Sequence, residues 1–527
     1  MNYKVSFLAL ACIAPLMADT TGRSFFTARP HFQSASPERV SLFRNDFFDM
    51  NINGCGGAVQ MVVYGSKSTK PARLAHYFTP ESCNEGYLSV KETYTESEGS
   101  SIGDADYLKD IDASHFNIST VNKTFESRIY FKPEQTVIGL GLTYRQELAH
   151  RSDGRTKFWG ELSMPIERIS NGMGLTERVI NDGGGADGTH LGLDGAHFVN
   201  NMVEAFGQSN WHYGKIDSCQ CPSKKWGVAD IELKFGGNYV HCGNGLCDTF
   251  NWSNFIGMVI PTGNRPHGEY MFEPIVGNNH HWGIMAGNSI YIKLWEKDCK
   301  LLSLNFDAAS KYLFSNHQTR SLDIKGRPWS RYLEMYNSEE QAWIAYNNQE
   351  AGSGTSGINL LTKQVKVSPR FDFNLNWALM YSYKTECGAY LLEAGYNFFA
   401  RQAETIDLES CNLGTIAIKD LYGNGETSQV RTIQKNAQQS SYPINPADYN
   451  GSTITGFQRL HSCELDPSSA AHPGVLSYTV YGSMGYQWDN KNHPTLLTIG
   501  GSYEFSSEHT NNNIDRWMLW SKFGFSF

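Results

Sequence analysis

The chain has 527 residues, a formal net charge of −9 and only 18% charged residues, against about 25% in ordinary soluble domains. Its mean hydropathy is −0.41, and no stretch approaches the roughly 18 consecutive apolar residues of a membrane helix, so an α-helical membrane protein is excluded. The acidic balance argues against nucleic acid as a partner, while 50 glycines and 13% aromatic residues suit an all-β chain.

The N-terminus reads MNYKVSFLALACIAPLMADT. Lys4 supplies a short positive region, Val5 to Met17 an apolar one, and Ala18 a small residue at a cleavage point, so residues 1–18 read as a secretory signal. Leu10-Ala11-Cys12 faintly resembles a lipoprotein cleavage site, but the apolar run before Cys12 is very short. Removing Cys12 leaves ten cysteines, an even number in an oxidising compartment. Residues 19–54 are expected to form a periplasmic leader or a partial plug.

From residue 55 onward the chain alternates between apolar and polar positions. In 136–145 (TVIGLGLTYR), Ile138, Leu140, Leu142 and Tyr144 oppose Gly139, Gly141, Thr143 and Arg145. In 227–240, Ile231, Leu233, Phe235 and Tyr239 oppose Asp230, Glu232 and Lys234. The run FDFNLNWALMYSYK at 371–384 keeps Phe, Leu, Trp and Tyr on odd positions throughout, and 475–489 and 515–527 behave alike. A period of two means strands with one oily and one wet face. Many of these runs reach 10–16 residues, whereas ordinary strands average about five or six and a tilted bilayer-crossing strand needs about nine to eleven. Further strands are expected near 57–65, 124–132, 156–166, 249–260, 281–295, 299–315, 327–336, 387–401 and 493–506. That makes about fourteen in all, with 12–16 expected because bacterial barrels take even numbers.

The signal-like start, the amphipathic strands and the final strand with Phe523, Phe525 and Phe527 on one register resemble a bacterial outer-membrane β-barrel. The resemblance covers most of 55–527 and implies a transmembrane antiparallel barrel in the outer membrane of a Gram-negative-type bacterium. It also implies contact with outer-membrane lipid, and recognition of the terminal Phe527 strand by the barrel-assembly machinery. Oligomers are compatible with it. Two segments break the alternation. An insert at 171–217 includes AHFVNNMVEAFGQ, which suits a short helix, and a polar stretch at 402–473 is expected as a long extracellular loop.

If the oily faces meet lipid, the charges on the wet faces line the lumen. These are Arg145, Asp230, Glu232, Lys234, Asp307, Asp372, Lys384, Glu393 and Arg401. There they would set the selectivity of a pore for small solutes or pair with one another in a closed interior. The cysteine pairs 219/221 and 242/247 flank a strand of about fifteen residues, too far apart for one zinc site. Cys242 with Cys247, and Cys411 with Cys463, are the expected disulfides of exported loops. GGGADGTHLGLDG (183–195) is a single imperfect Gly/Asp calcium-like copy without the stacked repeats such sites need. The adjacent histidines of NNHHW (278–282) point to opposite faces of a strand. GSGTSG (352–357) lacks the strand and helix of a nucleophile elbow. The expectation is therefore a non-enzymatic barrel without cofactor that passes small solutes. A closed surface-binding or adhesion barrel, and a rim hydrolase, are the alternatives.

Overall fold

The computed structural model describes residues 22–44, 56–80, 86–92, 110–152, 155–216, 222–242, 249–338, 341, 354–408, 413–419, 457–490, 493–506 and 512–527. Twelve antiparallel strands close into a barrel. They are β1 (Gly57–Ser68), β2 (Glu134–His150), β3 (Thr156–Gly172), β4 (Ile231–Cys242), β5 (Thr249–Ile260) and β6 (Gly283–Lys297), followed by β7 (Lys300–Leu313), β8 (Arg370–Thr385), β9 (Gly388–Arg401), β10 (Val475–Trp488), β11 (Thr495–Phe505) and β12 (Arg516–Ser526). Their lengths run from 11 to 17 residues, enough to cross a bilayer when tilted. Each strand pairs with its sequence neighbours, and β12 pairs with β1 from Ala58↔Ser526 to Ser68↔Arg516. The seam is finished by Gly57 N–H donating to Phe527 O at 2.8 Å and Phe527 N–H donating back to Gly57 O at 2.9 Å. Among the described strands no backbone edge is left for lipid to face.

The alternation read from sequence is the inside–outside alternation of this wall. Leu519 is 61% exposed and its neighbour Met518 only 5%. Phe523 and Phe527 are exposed on the same outer face, which is why the closing strand can be oily. A Pro inside a strand removes one ladder donor. Pro165 of β3 sits opposite a break at Ala229–Asp230, where the short strand Ser223–Val228 hands over to β4 along the same partner. Ala229 N–H there donates to Pro165 O at 2.8 Å.

At one end of the barrel the strands follow one another after connections of two to six residues, at 151–155, 243–248, 298–299, 386–387 and 489–494, and Phe527 lies there too. The other carries every long connection: 69–133, 173–230, 261–282, 314–369, 402–474 and 506–515. Bacterial barrels keep short turns in the periplasm and long loops outside, which orients the chain. The described residues of these connections fold together into a cap with an apolar core of its own. That core gathers Phe116, Phe206, Trp211, Trp329 and Tyr332 with residues from every one of these connections. The helix expected in 171–217 is there, Met202–Phe206, with the Asn201 side chain accepting from Glu204 N–H. Two of the expected barrel strands belong to the cap instead. The segment at 124–132 forms Glu126–Tyr130, and 327–336 forms a 3-10 turn and the two-residue Glu334–Met335. Both are too short to cross a membrane, and both are buried by the cap core rather than by lipid.

Candidate functional site

A twelve-strand barrel is too wide for its wall side chains alone to fill it, whereas about eight strands suffice for that. Here the space is taken by residues 22–44, which run through the lumen from the cap toward the turn end. At the cap, Arg23 donates to Ala471 O at 2.6 Å, Ser24 N–H to Ser469 O at 2.9 Å and Tyr77 Oη to Phe25 O at 2.6 Å. Phe26 joins the cap core. Thr27 donates to Glu404 and accepts from Asn279 Nδ2. Deeper in, Arg29 donates to Asn397 at 2.8 Å and lies 3.5 Å from Glu504. His31 meets Ser66 and Arg516, and Phe32 lies flat over Tyr64. Position 141 must lack a side chain, because a Cβ there would come within 2.3 Å of the Phe32 ring.

Nearer the turn end the contacts become ionic. Arg39 lies 2.5 Å from Glu232 and 2.7 Å from Glu161. Arg44 grips Glu393 with two N–H groups at 2.5 and 2.9 Å and reaches Asp307 at 3.1 Å. Glu393 also accepts from Leu42 N–H and Tyr481 Oη. Lys522 of β12 donates to Arg39 O and Ser41 O. Leu42 and Phe43 pack into an apolar collar with Met380, Ala389, Leu391 and Leu496.

The residues singled out from sequence fall into several groups. Glu232, Lys234, Asp307, Glu393 and Arg145 are buried lumen groups, all in or beside this ionic region. Lys234 lies 3.0 Å from Glu161, and Arg145 is stacked 3.7 Å over the Trp159 ring. Arg401 donates to Thr27 O. Asp372 is buried beside its register partners Lys311 and Arg401, and its oxygens accept no hydrogen bond among the described residues. Asp230 has a structural task. Its carboxylate accepts from Asn278 N–H and Nδ2 at 2.7 Å each, tying the part of the 271–287 stretch that precedes β6 to the cap end of the wall. Gly277 approaches it so closely, at φ +83°, that a Cβ would meet Oδ1 at 2.6 Å. Lys384 departs from the lumen expectation. It ends β8 beyond the collar, exposed on the rim and 3.9 Å from Glu296.

The 271–287 stretch thus has a role that spacing did not reveal. His280 and His281 diverge, His280 toward Gly263 O and His281 toward Phe314 O and Gln318. Burial pushes His281 down to about 4, consistent with both ring nitrogens being used in the neutral form. Arg320, beside Glu404 in the cap, is lowered to about 10 by burial, which outweighs the opposing carboxylate. Ser356 of the Gly-Ser stretch is buried and accepts from Trp211 Nε1 at 3.1 Å. Among the described residues Cys463, Cys299 and Cys387 are free, exposed thiols. Cys247 and Cys411 lie outside the described residues, and of Cys242 only the backbone is described. The arginines of 22–44 and their wall partner Glu161 were not singled out in the sequence. The available signal was four arginines within 23 residues of a chain otherwise poor in charge.

A closed antiparallel barrel, apolar outside and polar within, with short turns at one end and capped loops at the other, defines an outer-membrane β-barrel protein of a Gram-negative-type bacterium. No protein-family model and no curated protein matches the chain. Among solved structures, an outer-membrane channel from Pseudomonas putida F1 is 10% identical, with 91% of this chain and 98% of that one covered and a TM-score of 0.35. The beta domain of the Bordetella autotransporter BrkA is 7% identical over 90% of this chain and 100% of its own, with a TM-score of 0.31. A Pseudomonas aeruginosa FadL homologue is 9% identical over 96% and 99%, with a TM-score of 0.27. At these scores nothing about function follows from them.

Proposed function

We propose that the protein is a gated transport channel for small solutes, with residues 22–44 as its resident plug. The observation that carries this reading is how the plug is held. Within the barrel it meets the wall through ion pairs and hydrogen bonds to Glu161, Glu232, Asp307, Glu393 and Glu504, with Phe32 and the Leu42–Phe43 collar as its apolar anchors. Exchanging buried ion pairs for hydrated charges is close to balanced, because desolvation offsets most of their attraction. A polar plug can therefore leave a polar lumen for water at small net cost, while an apolar one is held by its whole buried area. Passage is diffusion through the polar lumen and needs no catalysis.

The test is conductance in planar bilayers of wild type and of a Ser34→Cys/Asn374→Cys variant. Asn374 Nδ2 donates to Ser34 O at 2.8 Å, so a crosslink there ties plug to wall. Gating steps in wild type and in the reduced variant that vanish when the variant is oxidised and return with reductant support the channel. A folded barrel that stays silent with and without the plug overturns it. The second reading, a closed surface-binding barrel, is favoured by the size of the cap core; it requires surface binding that survives the crosslink. A rim hydrolase requires turnover on lipid or peptide panels.

A further inference from the structure

Beside the plug, on the β2–β7 side of the lumen, remains a cavity of about 80 Å³. Its ionisable lining is Arg39, Arg44, Arg145, Lys234, Glu161 and Asp307. The single carboxylate of Glu161 is shared among three cations: Arg39 at 2.7 Å, Lys234 at 3.0 Å and Arg145 at 4.0 Å. The other carboxylates that steady Arg39, Lys234 and Arg44, those of Glu232 and Glu393, are not part of the lining. The face toward the cavity is therefore cationic. Four side-chain atoms of the lining are buried without a hydrogen-bond partner among the described residues: Thr143 Oγ1, Trp159 Nε1, Ser253 Oγ and Asn288 Oδ1. Three of the four can donate, and the indole N–H can do nothing else. Thr143, Trp159 and Ser253 are each at most 5% exposed, so bulk water does not serve them.

Four cations against two carboxylates in the lining, orphaned donors and a planar guanidinium steadied on an indole ring together specify a negatively charged oxygen ligand. We infer that this cavity binds a small anion, a carboxylate or an inorganic oxyanion, and that such anions are the solute class the lumen takes. The plug contributes Arg39 and Arg44 to the site, so a bound anion and a seated plug share the same cations. As a statement about the solute, this rests on the transport reading; as a binding site, it does not.

The test is isothermal titration of the refolded full-length protein in detergent with sodium acetate and, separately, inorganic phosphate. The variants are Arg145→Gln and the charge-neutral pair Thr143→Val/Ser253→Ala, with folding checked by heat-modifiable gel migration. One saturable site is expected for at least one anion. Its affinity should fall by about tenfold or more in Arg145→Gln, as removal of a charge-assisted hydrogen bond implies, and by less in the pair. No saturable heat with either anion, equal binding in all three proteins, or equal binding of neutral arabitol overturns the site. Anion binding that persists in the crosslinked Ser34→Cys/Asn374→Cys protein, with a wild type that never conducts, supports the site and removes the transport reading. Conduction without saturable anion binding does the reverse.

Discussion

Arg44 is the point at which the plug depends most on a single side chain. Replacing it by glutamine leaves Glu393 and Asp307, at 0% and 5% side-chain exposure, facing the lumen without their cation. Removing one partner of a buried pair costs about 3–5 kcal/mol, because the remaining charge stays desolvated. That penalty falls on the plugged state alone, since once the segment withdraws both carboxylates are hydrated. At about 1.4 kcal/mol per factor of ten, the plugged-to-open ratio of Arg44→Gln should drop by roughly two to four orders of magnitude. The readout is single-channel open probability, paired with proteolysis of the 22–44 segment in the refolded protein. Lys384→Gln is the control. Its rim pair with Glu296 is exposed and at 3.9 Å, worth at most about 1 kcal/mol, so gating should not change. An Arg44→Gln barrel that folds normally yet opens no more often than wild type, and keeps its plug protected, would refute the reasoning.

Other consequences can be checked separately. Gly141→Val puts a side chain where the Phe32 ring lies, so it should raise open probability and protease access at the plug while β2 pairing survives. Leu519→Arg places a charge on the lipid face, at an expected cost of about 2–4 kcal/mol near mid-membrane, measured as a lowered denaturation midpoint in lipid vesicles. Deleting Phe527, which closes the β1 seam, should slow assembly more than it destabilises the finished barrel; equal assembly rates in cells would count against its role as a recognition signal. A membrane-impermeant maleimide applied to intact cells should label Cys463 in the cap and spare Cys299 and Cys387 on the short turns; the opposite pattern would invert the orientation. Finally, burial lowers His281 from its ordinary 6.5 to about 4. The unfolded chain therefore binds more protons than the folded one between those values, and stability rises with pH across that window. Cap stability should fall by up to about 3 kcal/mol as pH drops from 6.5 to 4, and His281→Gln should flatten that slope.

Much of the wall was legible because period-two alternation over long strands has few competing explanations. The 371–384 run and the terminal strand lie where their parity put them, with Phe371, Trp377 and Leu379 outward and Asn374 and Asn376 inward. The strand number was harder, because a short segment such as 124–132 presents the same local pattern whether its oily face meets lipid or a cap core. Length is what separates the two. The plug was least legible. Segment 22–44 has no period, and its meaning lies in partners hundreds of residues away, such as Glu232 for Arg39 and Glu393 for Arg44. Wall charges read as pore-lining and wall charges that seat a plug are the same residues in sequence. Only the path of the N-terminal segment distinguishes them.

Two closures of different chemistry lie in series across this membrane. The cap is held by packed aromatic and aliphatic side chains, whose loss to water is costly in proportion to area. The plug is held mainly by charges and amides, whose exchange for water is nearly neutral. Of the two, the plug is the element that a modest bias can move. Loss of one plug cation, as in Arg44→Gln, supplies such a bias, because Glu393 and Asp307 are then left unpaired in the plugged state. Those carboxylates then require water, and water requires the segment to withdraw. This segment places Phe26 in the cap core and packs Ala28 against it, both ahead of residue 29, so withdrawal of residues 29–44 does not need the cap to unfold. The solute's entry past the cap is then the step at which loop substitutions should act, independently of the ion pairs below.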